Sequence, residues 1–159
     1  MIEIRKARNE ELKGLIPIYK KGFAKHGIFS KPDKEILHYM EKAEGDFIIA
    51  ISKTENKVLG GLLIVKKMPD TGHTLARFKH IVIAEEFQGQ GIGKSLIKYS
   101  EREIGNGKIE IHVSDNEKYA LEFYKHMGYR IEGELPDHYR LGETCFILGK
   151  TLKNDKKEG

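Results

Sequence analysis

The segment FQGQGIGKSLI, residues 87–97, places three glycines within five positions and follows them directly with a lysine and a serine. Glycines at this density let the main chain approach a ligand closely, and phosphate groups are frequent ligands of such loops. The stretch LARFKHIVI, from Leu75 to Ile83, is predicted as a long strand that ends just before the loop. A helical pattern follows from about Gly91 to Ile104. The sequence therefore predicts a strand, a glycine loop and a helix in succession.

Two nucleotide-binding templates fail at this loop. The first glycine of a P-loop that ends at Gly93 would fall at position 88, which is Gln88. A dinucleotide fingerprint would place its third glycine at Lys94 or Leu96. What remains is Gln-x-x-Gly-x-Gly, whose N–H groups at the start of the helix favour an anion such as a diphosphate. The alternative is a glycine-rich turn that serves only to pack the strand against the helix.

A second motif follows in NEKYALEFYKHMGY, residues 116–129, which predicts a helix that ends at Gly128. Together with QGQGIG, this motif resembles the GNAT superfamily of acetyl-CoA-dependent N-acetyltransferases. That family pairs a Gln/Arg-x-x-Gly-x-Gly/Ala loop with a later helix of the form Asn-x-x-Ala-x-x-Phe/Leu-Tyr-x-x-x-Gly-Phe/Tyr. The later pattern is filled in register by Ala120, Phe123, Tyr124, Gly128 and Tyr129.

The resemblance implies a fold class, and the order of predicted elements matches it. We expect a single-domain α/β protein with a mixed, mostly antiparallel central sheet of about seven strands and helices on both faces. The acetyltransferase domain is expected to span residues 1–153, followed by a polar tail at 154–159. Near the N-terminus, Asn9 is predicted to cap a helix that kinks or breaks at Pro17. A second helix is predicted to start at Ser30.

Composition excludes several other classes. The 28 basic and 24 acidic residues are interspersed, so the net charge of +4 indicates a solvated surface and we expect no nucleic-acid partner. No apolar run reaches the ~20 residues of a membrane span, and we expect a cytoplasmic protein. Cys145 is the only cysteine and is predicted to be a core thiol. The histidine spacing predicts no metal site, and the Lys- and Glu-rich composition resembles that of thermophiles.

The resemblance also assigns the binding of coenzyme A. The glycine loop would hold the pyrophosphate, through Gln88, Gly89, Gln90, Gly91, Ile92, Gly93, Lys94 and Ser95. The preceding strand would offer main-chain hydrogen bonds to the pantetheine, through Ile81, Val82 and Ile83. The later helix would contribute Asn116, Ala120, Phe123 and Tyr124. Asn116 lies one residue further from Tyr124 than in the family pattern, so either Asn116 or Glu117 occupies the place of the family's asparagine.

Catalytic candidates follow from the same resemblance and from residue chemistry. Tyr124 matches the family tyrosine and is the candidate acid that protonates the leaving sulfur. Glu110 and His112 lie on one face of the predicted strand KIEIHV and are the candidate bases, with His80 as a third choice. The closing stretch LPDHYRLGETCFILGKTL resembles the last hairpin of protein N-terminal and ribosomal-protein alanine acetyltransferases. In that hairpin a tyrosine shapes the acceptor slot, and Tyr139 is the match.

The expected reaction is transfer of acetyl from acetyl-CoA to a primary amine, by direct attack in a ternary complex. We expect a protein or peptide amino group as the acceptor. The alternatives are a small-molecule amine of the polyamine or antibiotic type, or a non-catalytic acyl-CoA-binding module that regulates a partner. The chain is expected to be a monomer or a homodimer.

Overall fold

The computed structural model describes residues 1–24, 26–67 and 71–153. Its strands are β1 (Ile2–Lys6), β2 (Asp46–Ser52), β3 (Lys57–Lys67), β4 (Thr74–Ile83), β5 (Gly107–Ser114), β6 (Arg130–Pro136) and β7 (Thr144–Leu152). Its α-helices are α1 (Ile16–Gly22), α2 (Asp33–Lys42), α3 (Ile92–Ile104) and α4 (Lys118–His126). Short 3₁₀ helices lie at Asn9–Leu15, Ile28–Ser30 and Glu85–Phe87. The predicted tail at 154–159 lies outside the described residues, and the domain boundary at 153 stays a prediction.

The seven strands form one mixed sheet in the order β1-β2-β3-β4-β5-β7-β6. The strand pairs β1–β2, β2–β3, β5–β7 and β6–β7 are antiparallel, and β4 pairs with β5 in parallel. The parallel register runs from Thr74 opposite Gly107 to Arg77 opposite Glu110. A parallel connection needs a crossover, and α3 lies between these two strands in the chain.

The chain divides into two compact units, which are described separately. The N-terminal unit comprises Met1–Val65 and His80–Arg102. The C-terminal unit comprises Lys66–Lys79 and Glu103–Gly159. The strand β4 contributes residues to both units, as does α3.

The N-terminal unit is built around two strands that are buried on both faces. Phe47 to Ser52 on β2 and Leu59 to Ile64 on β3 are all buried, as their nearly continuous apolar sequences predict. Helices α1 and α2 contribute Ile16, Tyr19, Ile36 and Met40 to the same core. Gly60 is required here because a Cβ at this position would lie 2.5 Å from the carbonyl oxygen of Val82 on β4.

The first predicted helix is divided, as the proline indicated, but it begins differently. A 3₁₀ helix ends at Leu15 and α1 starts at Ile16, with Pro17 in its first turn. The prediction that Asn9 caps this segment is wrong, because the capping residue is Arg8. The Glu11 carboxylate accepts the Arg8 backbone N–H at 2.8 Å, which is the half of a capping box that runs from the third residue of the turn back to the cap.

The C-terminal unit has a sheet with one apolar and one polar face. Residues of β5 alternate between buried and half-buried, with Ile109, Ile111 and Val113 buried. Glu110 and His112 therefore lie on the opposite face, as the alternation in the sequence predicts. This face carries the polar chemistry of the unit.

The ion pair between Arg5 and Glu11 yields a test of stability. Arg5 donates two hydrogen bonds to Glu11, at 2.8 and 2.7 Å, and they hold the pKa of Glu11 at about 2, against an ordinary value of 4.5. Glu11→Gln should lower the free energy of unfolding by about 1 to 3 kcal/mol at neutral pH. The ion pair stabilises only the ionised form of Glu11. The difference in the free energy of unfolding between wild type and variant should therefore shrink as the pH falls from about 4.5 towards 2, where Glu11 takes up a proton.

Urea denaturation at neutral and at acidic pH measures this difference. Glu10→Gln is the matched control, since Glu10 is an exposed acid in the same first turn. A Glu11→Gln difference that stays constant down to pH 2 would remove the ion pair as its cause.

Candidate active site

The glycine loop turns at two glycines with positive φ angles. Gly89 and Gly91 have φ angles of 81° and 84°, a region that side chains with a Cβ enter only with strain. The Gln88 side chain donates to the carbonyl oxygen of Ile83 at 3.1 Å, so this amide fastens the loop to the end of β4. The loop therefore reverses the chain from β4 into α3 without a bulky residue at its two turning points.

The first turn of α3 offers main-chain donors to an anion. Its first hydrogen bond runs from the Ser95 N–H to the Gly91 carbonyl oxygen, at 3.0 Å. The N–H groups of the residues between them therefore have no acceptor within the helix. Apart from the adjacent residues of the loop, no atom of the described residues lies within 4 Å of a Cβ built on Gly89 or Gly91, so the space beside the loop is open. The open space and the free donors fit a diphosphate.

The end of β4, in the N-terminal unit, is shaped by His80. Its φ of 55° lies in the left-handed region, which is costly for a residue with a Cβ. The Tyr19 hydroxyl donates to the His80 carbonyl at 2.7 Å, and the Tyr39 hydroxyl lies 2.8 Å from the His80 Nε2. The predicted pantetheine strand follows directly, with Val82 buried and its neighbours Ile81 and Ile83 half-buried.

In the C-terminal unit, Tyr124 lies on α4 and is only 6% exposed. Burial raises the pKa of its phenol well above the ordinary value of 10, and the charge of Glu117 raises it further. The phenol therefore keeps its proton at every working pH, but it gives that proton up less readily than an exposed tyrosine. Phe123 packs against Tyr124 at a ring-centroid distance of 5.2 Å, and Ala120 is half-buried on the same helix.

The turn before α4 holds Asn116 and Glu117, the two candidates for the place of the family's asparagine. Glu117 is the N-cap residue of α4, and its carboxylate accepts the Ser114 backbone N–H at 3.0 Å. Asn116 is exposed, and its backbone N–H donates to the Ser114 hydroxyl at 3.2 Å. The carboxylate of Glu117 is thus engaged in the turn, which leaves the side chain of Asn116 as the better candidate for a ligand.

The polar face of the C-terminal unit brings three predicted site residues together. The His112 Nε2 lies 2.9 Å from the Glu110 Oε1, and the His112 Nδ1 lies 3.0 Å from the Tyr139 hydroxyl. A fourth residue, Arg77 on β4, completes the group. Its Nη2 lies 3.0 Å from the His112 Nδ1 and 2.9 Å from the Tyr139 hydroxyl. We call Arg77, Glu110, His112 and Tyr139 the polar cluster.

Electrostatics in the polar cluster favour a neutral His112. Its pKa lies below the ordinary value of 6.5, first because the ring is desolvated and also because Arg77 is a neighbouring cation. The hydrogen bond to Glu110 acts in the opposite direction without overcoming these effects. A histidine that is neutral near pH 7 is in the form that accepts a proton.

Arg77 is the one member of the polar cluster that sequence reasoning missed. Within LARFKHIVI it reads as an ordinary exposed residue of a strand. Only the parallel register, which places Arg77 opposite Glu110, brings the guanidinium to His112. Side chains alternate between the two faces of β4, so Arg77 lies on the face opposite the buried Ala76 and Phe78. This alternation is the only local signal in the sequence that places Arg77 on the polar face.

Other kinds of site find little support. Across the described ranges, no cluster of three or more metal-ligating side chains occurs. No described helix is long and apolar enough to cross a membrane. Cys145 is buried in β7 as predicted, and desolvation raises the pKa of its thiol, which weakens it as a nucleophile.

Comparison with known sequences identifies the family. The seven-stranded mixed sheet carries a glycine loop between β4 and α3. Residues 43–131, more than half of the 159-residue chain, match the family described as Acetyltransferase (GNAT) domain. The chain belongs to the GNAT family of acetyltransferases, and it is an N-acetyltransferase that uses acetyl-CoA as its co-substrate.

Two characterised relatives act on different acceptors. The chain is 27% identical over 135 residues to the 5-NmdU N-acetyltransferase of Pseudomonas phage PaMx11, across 84% of this chain and 91% of the relative. It is 28% identical over 140 residues to the peptidyl-lysine N-acetyltransferase YjaB of Salmonella typhimurium, across 84% of this chain and 86% of the relative. These relatives support N-acetyl transfer and leave the acceptor open.

A solved structure supports the fold. Arabidopsis thaliana Naa50, crystallised with the bisubstrate analogue CoA-Ac-MVNAL, superposes with a TM-score of 0.73 at 17% identity. The match covers 95% of this chain and 99% of the other. The predicted α/β class with about seven strands in a mostly antiparallel sheet is confirmed, as is the predicted resemblance to this family.

Proposed function

We propose that the chain acetylates an amino group of a protein or peptide, by direct attack of the amine on the thioester. The observation that carries this proposal is the hydrogen-bonded path from Glu110 through His112 to Tyr139. Tyr139 is 59% exposed in the loop between β6 and β7, so this path ends where a large acceptor has access. The neighbouring Leu141 is an exposed apolar side chain suited to contact with a peptide.

The polar cluster would supply the base. An α-amine with a pKa near 8 is about 10% neutral at pH 7, and a lysine amine near 10.4 is neutral in less than about 0.1% of molecules. A base is therefore needed in either case, and more so for a lysine. His112, held neutral by desolvation and oriented by Glu110, has the right form to take the proton. Both residues remain candidates for the base.

Tyr124 would supply the acid. A leaving thiolate resembles that of cysteine, with a pKa near 8.5, so proton donation from an ordinary phenol near 10 is uphill by about 2 kcal/mol. The burial of Tyr124 makes this step harder than the sequence alone suggests. Tyr124 would therefore first donate a hydrogen bond that strengthens as negative charge develops on the leaving sulfur, and would transfer its proton late in the cleavage of the thioester.

The glycine loop would hold coenzyme A by its diphosphate. When bound, acetyl-CoA supplies the activated acyl group. The chain contributes the N–H groups of the first turn of α3, together with the exposed Lys94 and Ser95. The main chain from Ile81 to Ile83 would orient the pantetheine. Asn116, before α4, and Ala120 and Phe123, on α4, stay the further candidates for contacts with the cofactor.

An acceptor screen tests the proposed function. Release of the coenzyme A thiol would be measured with peptides that carry a free α-amine, peptides with only a lysine amine, polyamines and aminoglycosides. We expect kcat/KM for at least one peptide class to exceed that of the small amines by about tenfold or more. Peptides blocked at both kinds of amine serve as the control. If a polyamine or an aminoglycoside is acetylated faster than every peptide, the acceptor is a small-molecule amine and the proposal of a protein or peptide acceptor is wrong.

The proposed diphosphate site is tested by Gly91→Gln. The new side chain would fill the open space beside the loop, and we expect the affinity for coenzyme A to fall at least tenfold in a calorimetric titration. Gly105→Gln is the matched control. Gly105 also has a positive φ, of 73°, and open space around a Cβ built at this position, but it follows the C-terminal end of α3. Equal loss of affinity in both variants would trace the effect to backbone strain.

The role of Tyr124 is tested by Tyr124→Phe. We expect kcat to fall by about 10²-fold with little change in the affinity for coenzyme A. Because the raised pKa keeps the phenol protonated, the loss should be the same from about pH 6 to about pH 9. Tyr119→Phe, at a residue that is 94% exposed on the same helix, is the control. Unchanged turnover in Tyr124→Phe would exclude the acid role.

A further inference from the structure

Both ring nitrogens of His112 are occupied by protein groups. The Nε2 faces the Glu110 carboxylate at 2.9 Å, and the Nδ1 faces the Arg77 Nη2 and the Tyr139 hydroxyl, each at 3.0 Å. An acceptor amine therefore has no direct access to either nitrogen in this arrangement. A base at His112 has to receive its proton through one of these three neighbours.

The chemistry of Arg77 fixes which nitrogen of His112 carries the proton. A guanidinium only donates hydrogen bonds, so a proton on the facing Nδ1 would point at another donor, and Nδ1 carries a lone pair instead. The proton of the neutral ring then lies on Nε2, which donates to Glu110. His112 is consequently able to accept a further proton only at Nδ1.

Tyr139 is the one neighbour of Nδ1 able to deliver a proton and then replace it. A guanidinium only donates hydrogen bonds, whereas a phenol both donates and accepts. The Arg77 Nη2 donates to the Tyr139 oxygen at 2.9 Å, so the single lone pair of Nδ1 is left to accept the Tyr139 proton. We propose that Tyr139 is a catalytic residue that takes the acceptor's proton while passing its own to His112. This inference rests on the proposed acetylation of an amine.

The step balances in protons and charge. As the amine nitrogen bonds to the acyl carbon, its N–H bond breaks and a new O–H bond forms at Tyr139. The acyl C–S bond breaks in turn, and its electron pair leaves on the coenzyme A sulfur, which takes a proton from Tyr124. In the same step the original Tyr139 O–H bond breaks and an N–H bond forms at the His112 Nδ1. The ring becomes an imidazolium that is paired with the Glu110 carboxylate through Nε2. The extra proton is later released to solvent, which restores the neutral ring.

Arg77 acts as a positioning residue in this chain. Its Nη2 holds the Tyr139 oxygen and the His112 Nδ1 together, and its charge opposes early protonation of the ring. The other charged or titratable groups around the ring are Glu110 on β5 and His138 in the loop before β7, whose ring centroid lies 6.5 Å away. Lys79 follows on the same face of β4.

Nitrogen-15 NMR of the histidine rings tests the tautomer without any turnover. In the wild-type protein, His112 should show an acceptor-type Nδ1 and a protonated Nε2, with a pKa below 6.5. In Arg77→Met, that pKa should rise, while Nε2 stays protonated because the Glu110 carboxylate only accepts. Arg130→Met, at an exposed arginine of β6, should leave the His112 signals unchanged. A wild-type ring protonated at Nδ1 would overturn the proposal.

Kinetics of Tyr139→Phe test the relay itself. We expect kcat to fall by about 10²-fold with the affinity for coenzyme A unchanged, while Tyr119→Phe keeps wild-type turnover. A tyrosine that only shapes the acceptor slot would instead raise the KM for the acceptor at constant kcat, and this result would overturn the relay. If the wild-type enzyme acetylates no amine in the screen, the proposed function fails, and the NMR result still judges the tautomer separately.

Discussion

The chemistry of the polar cluster depends on a short parallel ladder between β4 and β5. The register runs from Thr74 opposite Gly107 to Arg77 opposite Glu110, and this last pair places a guanidinium beside a carboxylate on neighbouring strands. The two side chains nevertheless contact His112 instead of forming an ion pair with each other. A cation on one nitrogen and an anion on the other leave His112 a single tautomer. A shift of one residue in this register would turn Arg77 to the apolar face and remove that constraint.

The glycine loop follows from a different constraint, the geometry of a helix start. The turn from β4 into α3 needs two residues with positive φ, at Gly89 and Gly91, and the first turn of the helix leaves main-chain donors without partners. Space beside both glycines is open, as it is beside Gly105 at the other end of α3. The same backbone therefore meets a folding requirement and leaves room for the proposed diphosphate.

Burial affects the two candidate proton-transfer groups in opposite ways. It raises the pKa of Tyr124 and lowers that of His112, so both side chains are held in their neutral forms. A neutral phenol and a neutral imidazole are the forms needed to donate a proton to sulfur and to accept one from an amine. The cost is lower intrinsic strength in each group, which the positioning of reactants in a ternary complex would have to offset.

The sequence by itself determined the order of the elements, the glycine loop, the pattern of α4 and the polar face of β5, because each depends on local spacing or on the conformational freedom of glycine. It misplaced the first cap at Asn9, because the acceptor for the Arg8 N–H comes from Glu11, a side chain within the turn. Only the tertiary structure decided that Arg77 joins Glu110, His112 and Tyr139. These residues lie on three segments far apart in sequence, and strand register, which no local pattern encodes, brings them within hydrogen-bonding distance.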